Sequence, residues 1–325
     1  MKAKIRCTLC PKGCELKPGE TGDCRVRENI GGKIQCTTYA KPCSISIDPV
    51  EKKPLYHFLP GSPILSIATA GCNLHCKQCQ NWQISQVGQA YLNDADTPPQ
   101  AIAQMAEKRA CPAIAYTYTE PLVSYEYTYD CCQAAAAAGI RNVLVTAAYI
   151  NPEPLRRICR YVDAANVDLK SFSDDFYRDV CSARLQPVLN AMKVMSECGV
   201  MLEVTNLIIP TLNDSEEETR RLCDWIAENL GQSTPLHFSR FFPQNQLKHL
   251  PPTPPETILR ARELAMERGL EHIYVGNMSD GAGENTWCPS CGELLIERKG
   301  YKVFMNKISK GSCPDCGTAI RGIWE

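Results

Sequence analysis

The chain has 325 residues, a formal net charge of -1 and a pI of about 6.5, so it lacks the basic excess of nucleic-acid-binding proteins and of basic membrane patches. Because no apolar run approaches the ~20 residues of a membrane span and the N-terminus lacks a signal-peptide core, we expect a cytoplasmic protein with no nucleic-acid or membrane partner. The 20 cysteines are the compositional outlier, and in a long chain without a signal peptide they indicate metal binding rather than disulfides.

Residues 1–60 form the first predicted segment, a small cysteine-rich lobe. Its C-x2-C-x3-C-x9-C pattern uses Cys7, Cys10, Cys14 and Cys24. Four thiolates on a loop rich in glycine and proline predict a lobe held together by a metal. Zinc is the first choice, a second iron–sulfur cluster is the alternative, and free buried thiols remain a third interpretation. Cys36 or Cys43 could replace any of the four ligands.

Residues 61–280 form the second segment, in which seven short apolar runs alternate with helical stretches. The runs are 64–70, 113–119, 142–148, 165–170, 202–209, 235–241 and 272–276. Thr97 is a candidate N-cap with Pro98 in the first turn of the helix that follows, and Gly139 and Gly231 are candidate helix C-terminal residues. This alternation predicts an α/β fold with a parallel sheet, and it fits both an open doubly wound sheet and a partial or full barrel.

Three cysteines follow the first apolar run of this segment with the spacing C-x3-C-x2-C. They are Cys72, Cys76 and Cys79. Structural metal sites usually take four protein ligands, so three thiolates indicate a centre with one open position. A zinc site or free thiols are the alternatives. The isolated cysteines elsewhere, Cys181 among them, are interpreted as small buried hydrophobes.

Polar residues occur at or near the ends of the predicted strands, where barrels and α/β sheets place their chemistry. They include Glu120, Thr146, Asp168, Lys170, Asn206 and His237. Asp168 and Lys170 alternate with Leu169 and therefore share one face of their strand. Because a charge in an apolar run must pair or face a polar site, these residues predict a functional mouth beneath the three-cysteine loop.

Residues 281–325 form the third segment, which contains two C-P-x-C-G knuckles. Their cysteines are Cys288, Cys291, Cys313 and Cys316. Each knuckle places two thiolates on one turn, and the glycine after each pair permits the backbone bend. Four soft ligands on about 45 residues predict a zinc-ribbon-like module with a structural or docking role.

The three-cysteine loop and the strand-end residues together resemble the radical S-adenosylmethionine (radical SAM) superfamily, in its pyruvate formate-lyase activating-enzyme-like branch. The resemblance implies a partial or full parallel (β/α) barrel in which Cys72, Cys76 and Cys79 bind three irons of a [4Fe–4S] cluster. It implies that SAM binds the fourth iron and is cleaved reductively to methionine and a 5′-deoxyadenosyl radical, which abstracts hydrogen from a protein or small-molecule substrate.

The resemblance also implies roles for single residues. Glu120 matches the glutamate of a G-G-E-P element that binds the SAM amino group, here written "YTYTEP". The "DLK" of Asp168 and Lys170 matches an element that contacts SAM and a monovalent cation. Thr146, Asn206 and His237 correspond to further SAM contacts. The sequence departs from the family where Thr146-Ala147-Ala148 replaces T-N-G and where Thr211 replaces a glycine.

Over the whole chain, the N-terminal cysteines, "CNLHCKQCQNWQISQ", "HFSRFFP" and the paired knuckles resemble the AmmeMemoRadiSam-system radical SAM proteins. This implies an anaerobic oxidoreductase or lyase that uses an electron donor such as flavodoxin or ferredoxin. A glycyl-radical-enzyme activating enzyme is the narrower alternative. An iron–sulfur or zinc protein for electron transfer or docking, without catalysis, is the alternative of another class, and it would not need Glu120, Asp168 and Lys170.

Overall fold

The apolar runs of the sequence form the strands of one central sheet in the computed structural model, which describes residues 4–88, 96–278 and 283–325. The strands are β1 (Ile5–Arg6), β2 (Glu15–Leu16), β3 (Arg27–Ile30), β4 (Lys33–Cys36), β5 (Ser44–Pro49), β6 (Pro63–Ala68), β7 (Ala113–Tyr116), β8 (Arg141–Thr146), β9 (Ala164–Asp168), β10 (Met201–Ile208), β11 (Leu236–Arg240), β12 (Ile273–Gly276), β13 (Thr286–Trp287), β14 (Leu294–Lys299) and β15 (Lys302–Asn306). The helices are α1 (Trp82–Ser85), α2 (Pro99–Lys108), α3 (Tyr125–Ala137), α4 (Pro152–Ile158), α5 (Asp174–Cys181), α6 (Leu185–Glu197), α7 (Glu216–Asn229) and α8 (Pro255–Glu267). Among the described residues, none of the helices combines the length and the apolar character that a membrane span requires.

The central sheet has eight strands in the order β12-β11-β10-β9-β8-β7-β6-β5. Strands β6 to β12 run parallel, which confirms the predicted α/β fold, and β5 is antiparallel to β6. The order from β6 to β12 never reverses, whereas a doubly wound sheet reverses at a switch point. No pairing joins the end strands β5 and β12 within the described ranges, so the barrel is partial.

Two glycines end their helices as the sequence predicts, but one predicted N-cap is wrong by one residue. Gly139 and Gly231 have φ angles of 72° and 98°, in the left-handed region that glycine adopts without strain. The N-cap of α2 is Pro98 rather than Thr97, and Pro99 takes the first helical position. The helix begins one residue later than predicted because Pro98 precedes Pro99, and a residue before a proline is disfavoured in the α conformation.

Residues 44–59, which the sequence assigns to the N-terminal lobe, contribute to the barrel. Strand β5 pairs along its whole length with β6. Val50, Leu55 and Phe58 are fully buried and pack with side chains that the parallel strands direct into the barrel. We therefore propose that the N-terminal lobe ends near residue 43. The predicted boundary between residues 280 and 281 lies outside the described residues.

The C-terminal module lies at the amino ends of the parallel strands. Strands β13, β14 and β15 form its antiparallel sheet. Ile323 exchanges backbone hydrogen bonds with residues 57 and 59, at 2.8 Å and 2.7 Å. The guanidinium of Arg298 donates to the carbonyl of Tyr56 at 2.7 Å. The module thus closes the bottom of the barrel, at the end opposite the three-cysteine loop.

Two buried imidazoles at this closed end predict acid sensitivity. Burial lowers the pKa of His272 from 6.5 to about 4. The pKa of His57, whose ring centroid lies 4.5 Å away, is also lowered, by burial and then by His272. Both rings would protonate below about 6.5 in the unfolded chain but stay neutral in the folded protein. The free energy of unfolding should therefore be highest above pH 6.5 and should decrease as the pH falls from 6.5 toward 4.

We expect His272 alone to lower the free energy of unfolding by about 2 kcal/mol between pH 7 and pH 5. Anaerobic urea unfolding of the wild type and of His272→Gln at both pH values measures this difference. The variant should lose about that much of the pH dependence. An equal pH dependence in the two proteins would show that His272 is protonated in the folded state.

Candidate active site

The three-cysteine loop begins directly after the carboxyl end of β6, and neighbouring elements hold it on several sides. The amide of Asn73 donates to the carbonyl of Tyr149 at 2.7 Å. The backbone N–H groups of His75 and Lys77 donate to the last carbonyls of α5, those of Cys181 and Val180, at 2.9 Å and 3.0 Å. The loop therefore satisfies orphan carbonyls of a helix C-terminus and is itself fixed by them.

Hydrogen-bond donors surround the three thiols of the loop. The backbone N–H of Leu74 donates to Cys72 Sγ at 3.4 Å, and the hydroxyl of Ser85 lies 3.3 Å from Cys79 Sγ. The thiol of Cys181, at the end of α5, lowers the pKa of Cys76. No sequence motif links Cys181 to the three-cysteine loop, because it lies about 100 residues away in a helix. Its sequence context indicates only a small buried hydrophobe.

The loop does not have the spacing of a single-ion site. Within the part of the chain that the structure describes, no three of its acidic, His and Cys ligand atoms lie within 4.8 Å of one another except in the C-terminal module. Thiolates around one zinc ion would be about 4 Å apart, since Zn–S bonds are ~2.3 Å long. Three separated soft donors fit the corners of an iron–sulfur cluster, whose thiolates bind different irons.

Glu120 lies buried beside this loop, just after β7. Its Oε1 accepts from the hydroxyl of Thr146 at 2.7 Å and from the N–H of Leu122 at 3.1 Å, and its Oε2 accepts from the N–H of Ala147 at 2.9 Å. Burial raises the pKa of Glu120, and these three donors oppose that rise. Burial raises the pKa of the Cys72 thiol, and the charge of Glu120 raises it further.

Asp168 and Lys170 lie at the carboxyl end of β9 and pair with each other. Lys170 Nζ is 2.6 Å from Asp168 Oδ2, and the backbone N–H of Lys170 donates to the hydroxyl of Tyr177 at 3.0 Å. Burial lowers the pKa of Lys170, but the charges of Asp168 and Cys76 outweigh burial, so the pKa is raised. The structure thus brings an ion pair, a buried carboxylate and three thiols to one mouth.

Three other predicted site residues have side chains engaged within the fold. Thr146 holds Glu120 and accepts from the N–H of Ala148 at 2.8 Å. Asn206 donates to the carbonyl of Leu169 at 2.8 Å. His237 Nε2 lies 2.6 Å from Glu203 Oε2 inside the barrel. Asn206 is thus hydrogen-bonded to the backbone between Asp168 and Lys170, and His237 is bonded to a carboxylate inside the barrel. Their predicted contacts with SAM stay predictions.

Four residues stand where the resembled family has glycine, and all of them except Thr119 have left-handed backbone conformations. The φ angles are 67° for Tyr118, 54° for Ala148 and 69° for Thr211. Each costs roughly 1–2 kcal/mol relative to glycine. The backbone therefore has a left-handed conformation at these three positions, although none of them is a glycine.

The C-terminal module holds a second group of thiols. Cys288, Cys291, Cys313 and Cys316 have all their sulfur atoms within 4.8 Å of one another. Cys288 Sγ lies 3.5 Å from Cys316 Sγ, and Cys291 Sγ lies 3.7 Å from Cys313 Sγ. These distances match four thiolates around one tetrahedral ion, so this group could bind a metal.

Comparison with known proteins finds one matching family and two similar proteins. Residues 66–223 match the model of the radical SAM superfamily. An uncharacterized protein of Methanocaldococcus jannaschii is 45% identical over 319 residues, which cover 98% of this chain and 95% of that protein. The pyruvate formate-lyase-activating enzyme of Clostridium pasteurianum is 23% identical over 158 residues, which cover 48% of this chain and 66% of that enzyme.

A solved structure shares the fold. The structure of a radical SAM methyltransferase from Sphaerobacter thermophilus aligns with a TM-score of 0.53 and 17% sequence identity, covering 73% of this chain and 71% of that one. At this identity the similarity concerns the arrangement of strands and helices. It agrees with the partial barrel described above.

Proposed function

Because residues 66–223 match the radical SAM superfamily, we propose that the chain is an enzyme that cleaves SAM at the three-cysteine loop and transfers the resulting radical reactivity to a substrate. The observation that carries this proposal is the convergence of Cys72, Cys76 and Cys79 with Glu120 and the Asp168–Lys170 pair. An electron-transfer or docking protein would have no need for a buried carboxylate and an ion pair beside its cluster.

In this proposal Cys72, Cys76 and Cys79 would hold a [4Fe–4S] cluster, and SAM would bind at the iron that has no cysteine ligand. The bound cluster would supply the electron that splits SAM into methionine and a 5′-deoxyadenosyl radical. The N–H of Leu74 and the hydroxyl of Ser85 donate to sulfur, and such contacts stabilise thiolate charge and tune the potential. Cys181 lowers the pKa of Cys76 and so favours the thiolate form of that ligand.

Glu120 is proposed to bind the cationic amino group of SAM. Its Oε2 accepts a single hydrogen bond, from Ala147, and so keeps capacity for another donor. Thr146 positions Glu120 from the neighbouring strand end. Lys170 offers a cation for the SAM carboxylate and already neutralises Asp168, so a monovalent cation beside Asp168 is not required. Asn206 and His237 would then support the barrel around the site.

The substrate class is narrowed by one comparison only. Similarity to a pyruvate formate-lyase-activating enzyme favours a glycyl-radical protein as one candidate substrate. Other protein or small-molecule substrates fit the same radical chemistry, since function depends on the site rather than on the fold. In each case a low-potential donor of the flavodoxin or ferredoxin class would reduce the cluster.

Replacing Glu120 with glutamine tests the proposed SAM site. We expect the SAM dissociation constant to rise about 10- to 100-fold, because a charge-assisted hydrogen bond is lost. Anaerobic equilibrium dialysis with labelled SAM on the reconstituted protein measures it, with the exposed Glu153→Gln as the matched control. The visible absorbance of the cluster should be unchanged.

Two results would contradict this role. Unchanged SAM affinity in Glu120→Gln would remove Glu120 from the SAM site. Loss of the cluster absorbance would mean instead that Glu120 supports the three-cysteine loop.

A further inference from the structure

The four cysteines of the N-terminal lobe line one small cavity. Its walls include Cys7, Cys10, Cys14 and Cys24, but neither Cys36 nor Cys43. A tight turn brings the first three together: the N–H of Cys7 donates to the carbonyl of Cys14 at 2.8 Å, and the N–H of Gly13 donates to that of Cys10 at 3.2 Å. Of the six cysteines in the N-terminal segment, the four of the C-x2-C-x3-C-x9-C pattern therefore lie around one cavity.

These four sulfur atoms are spread more widely than the ligands of one ion. The C-terminal cysteines have the close spacing of a single-ion site, and they are the one such group among the described residues. Four thiolates around zinc would have to be about 4 Å apart. Thiolates that bind the separate irons of a cluster are further apart. The N-terminal set therefore lacks the close spacing of a single-zinc site, which favours the alternative of an iron–sulfur cluster with a separate iron for each thiolate.

A buried cation with an unpaired N–H also lines this cavity. Arg27 is 7% exposed, and its Nη1 and Nη2 atoms pair with Glu126 at 2.7 Å and 2.8 Å, while its Nε has no partner. A buried unpaired N–H on a cation is costly. A cluster with four thiolate ligands is anionic and would offset this cost.

The cavity adjoins the three-cysteine loop directly. Asn73, the residue after Cys72, forms part of its wall. Gly71, the residue before Cys72, is packed so closely that a β-carbon there would lie 2.5 Å from the carbonyl oxygen of Cys24. His75 Nε2 lies 3.0 Å from Asp23 Oδ2, which joins the lobe to the same loop. The wall of the N-terminal cavity and the three-cysteine loop thus share Asn73 and are packed against each other at Gly71.

From these observations we infer that Cys7, Cys10, Cys14 and Cys24 bind a second [4Fe–4S] cluster, which passes one electron from an external low-potential donor to the cluster on the three-cysteine loop. No bond in the protein forms or breaks in this step: the donor is oxidised by one electron and the first cluster is reduced by one. The proposed binding of a second cluster depends only on the arrangement of these four cysteines. The proposed electron transfer depends also on the proposed function.

Removing the three-cysteine site tests for the second cluster without relying on activity. The Cys72→Ala/Cys76→Ala/Cys79→Ala protein is reconstituted anaerobically with iron and sulfide. Iron, sulfide and zinc are then counted, and the dithionite-reduced protein is examined by electron paramagnetic resonance. We expect about four iron and four sulfide per chain, against about eight of each in the wild type. Adding Cys10→Ala and Cys14→Ala should remove this iron, whereas adding Cys43→Ala should not.

The converse variant separates this inference from the proposed function. Cys10→Ala/Cys14→Ala alone should keep about four iron and bind SAM, with circular dichroism checking its fold. Absence of iron in the triple variant, with either a second zinc or no metal in the lobe, would overturn the second cluster even if SAM chemistry stands. Reduction of the first cluster by flavodoxin at wild-type rate in the converse variant would overturn the relay.

Discussion

Replacing Cys76 with alanine should reduce SAM cleavage to background, a loss of at least about a thousandfold against enzymatic accelerations that are typically 10⁶-fold or more. Cys76 is one of only three thiols that the loop offers, so its removal leaves the cluster without a ligand. The loss should be in chemistry and in iron content together. Anaerobic reconstitution followed by iron analysis and chromatography of 5′-deoxyadenosine measures both.

The exposed Cys198→Ala is the matched control, because it removes a thiol far from the loop in sequence. We expect its iron content and its SAM cleavage to equal those of the wild type. Cys72→Ala and Cys79→Ala should behave like Cys76→Ala. Retained SAM cleavage in Cys76→Ala would contradict the assignment of the three-cysteine loop.

Removing the metal from the C-terminal module should produce the largest change in stability. The four close sulfur atoms lead us to propose bound zinc, and binding at a structural site of this kind contributes about 10–16 kcal/mol. Cys288→Ala should therefore unfold the module and uncover Phe58, which is fully buried next to Ile323. Zinc analysis, limited proteolysis and thermal unfolding of the reconstituted protein measure these effects.

Ser290→Ala changes an exposed residue of the same knuckle and should leave the zinc content and the unfolding temperature unchanged. The module lies at the amino ends of the strands, so any Cys288→Ala protein that stays folded should still bind SAM. Unchanged stability and no zinc in the wild type would show that the thiols are unligated. Loss of SAM binding in a folded Cys288→Ala protein would give the module a role at the mouth.

The parallel strands could be predicted because each is a short apolar run bounded by turn residues. Strand β5 could not, since Ser44–Pro49 reads as a polar continuation of the lobe, and Ile45 and Ile47 are 40% and 47% exposed. Its place depends on pairing with β6, which is a tertiary interaction. The same pairing carries residues 50–59 into the barrel.

Sequence position alone does not show which way the side chain of each strand-end residue faces. Neighbouring residues on a strand point to opposite faces, so a shift of one position changes the surroundings completely. Asn206 follows Thr205, which faces Asn166 inside the barrel, and so Asn206 lies on the helix-packed face. The side chain of His237 points into the barrel, where it is paired with Glu203.

The most direct test of the central claim is the product of the wild-type protein with SAM. The protein is reconstituted with iron and sulfide, reduced with dithionite under anaerobic conditions and incubated with SAM, and 5′-deoxyadenosine and methionine are quantified. Both products should form in equal amounts and only after reduction. A reduced cluster on Cys72, Cys76 and Cys79 that neither cleaves SAM nor changes its electron paramagnetic resonance spectrum when SAM is added would contradict the account.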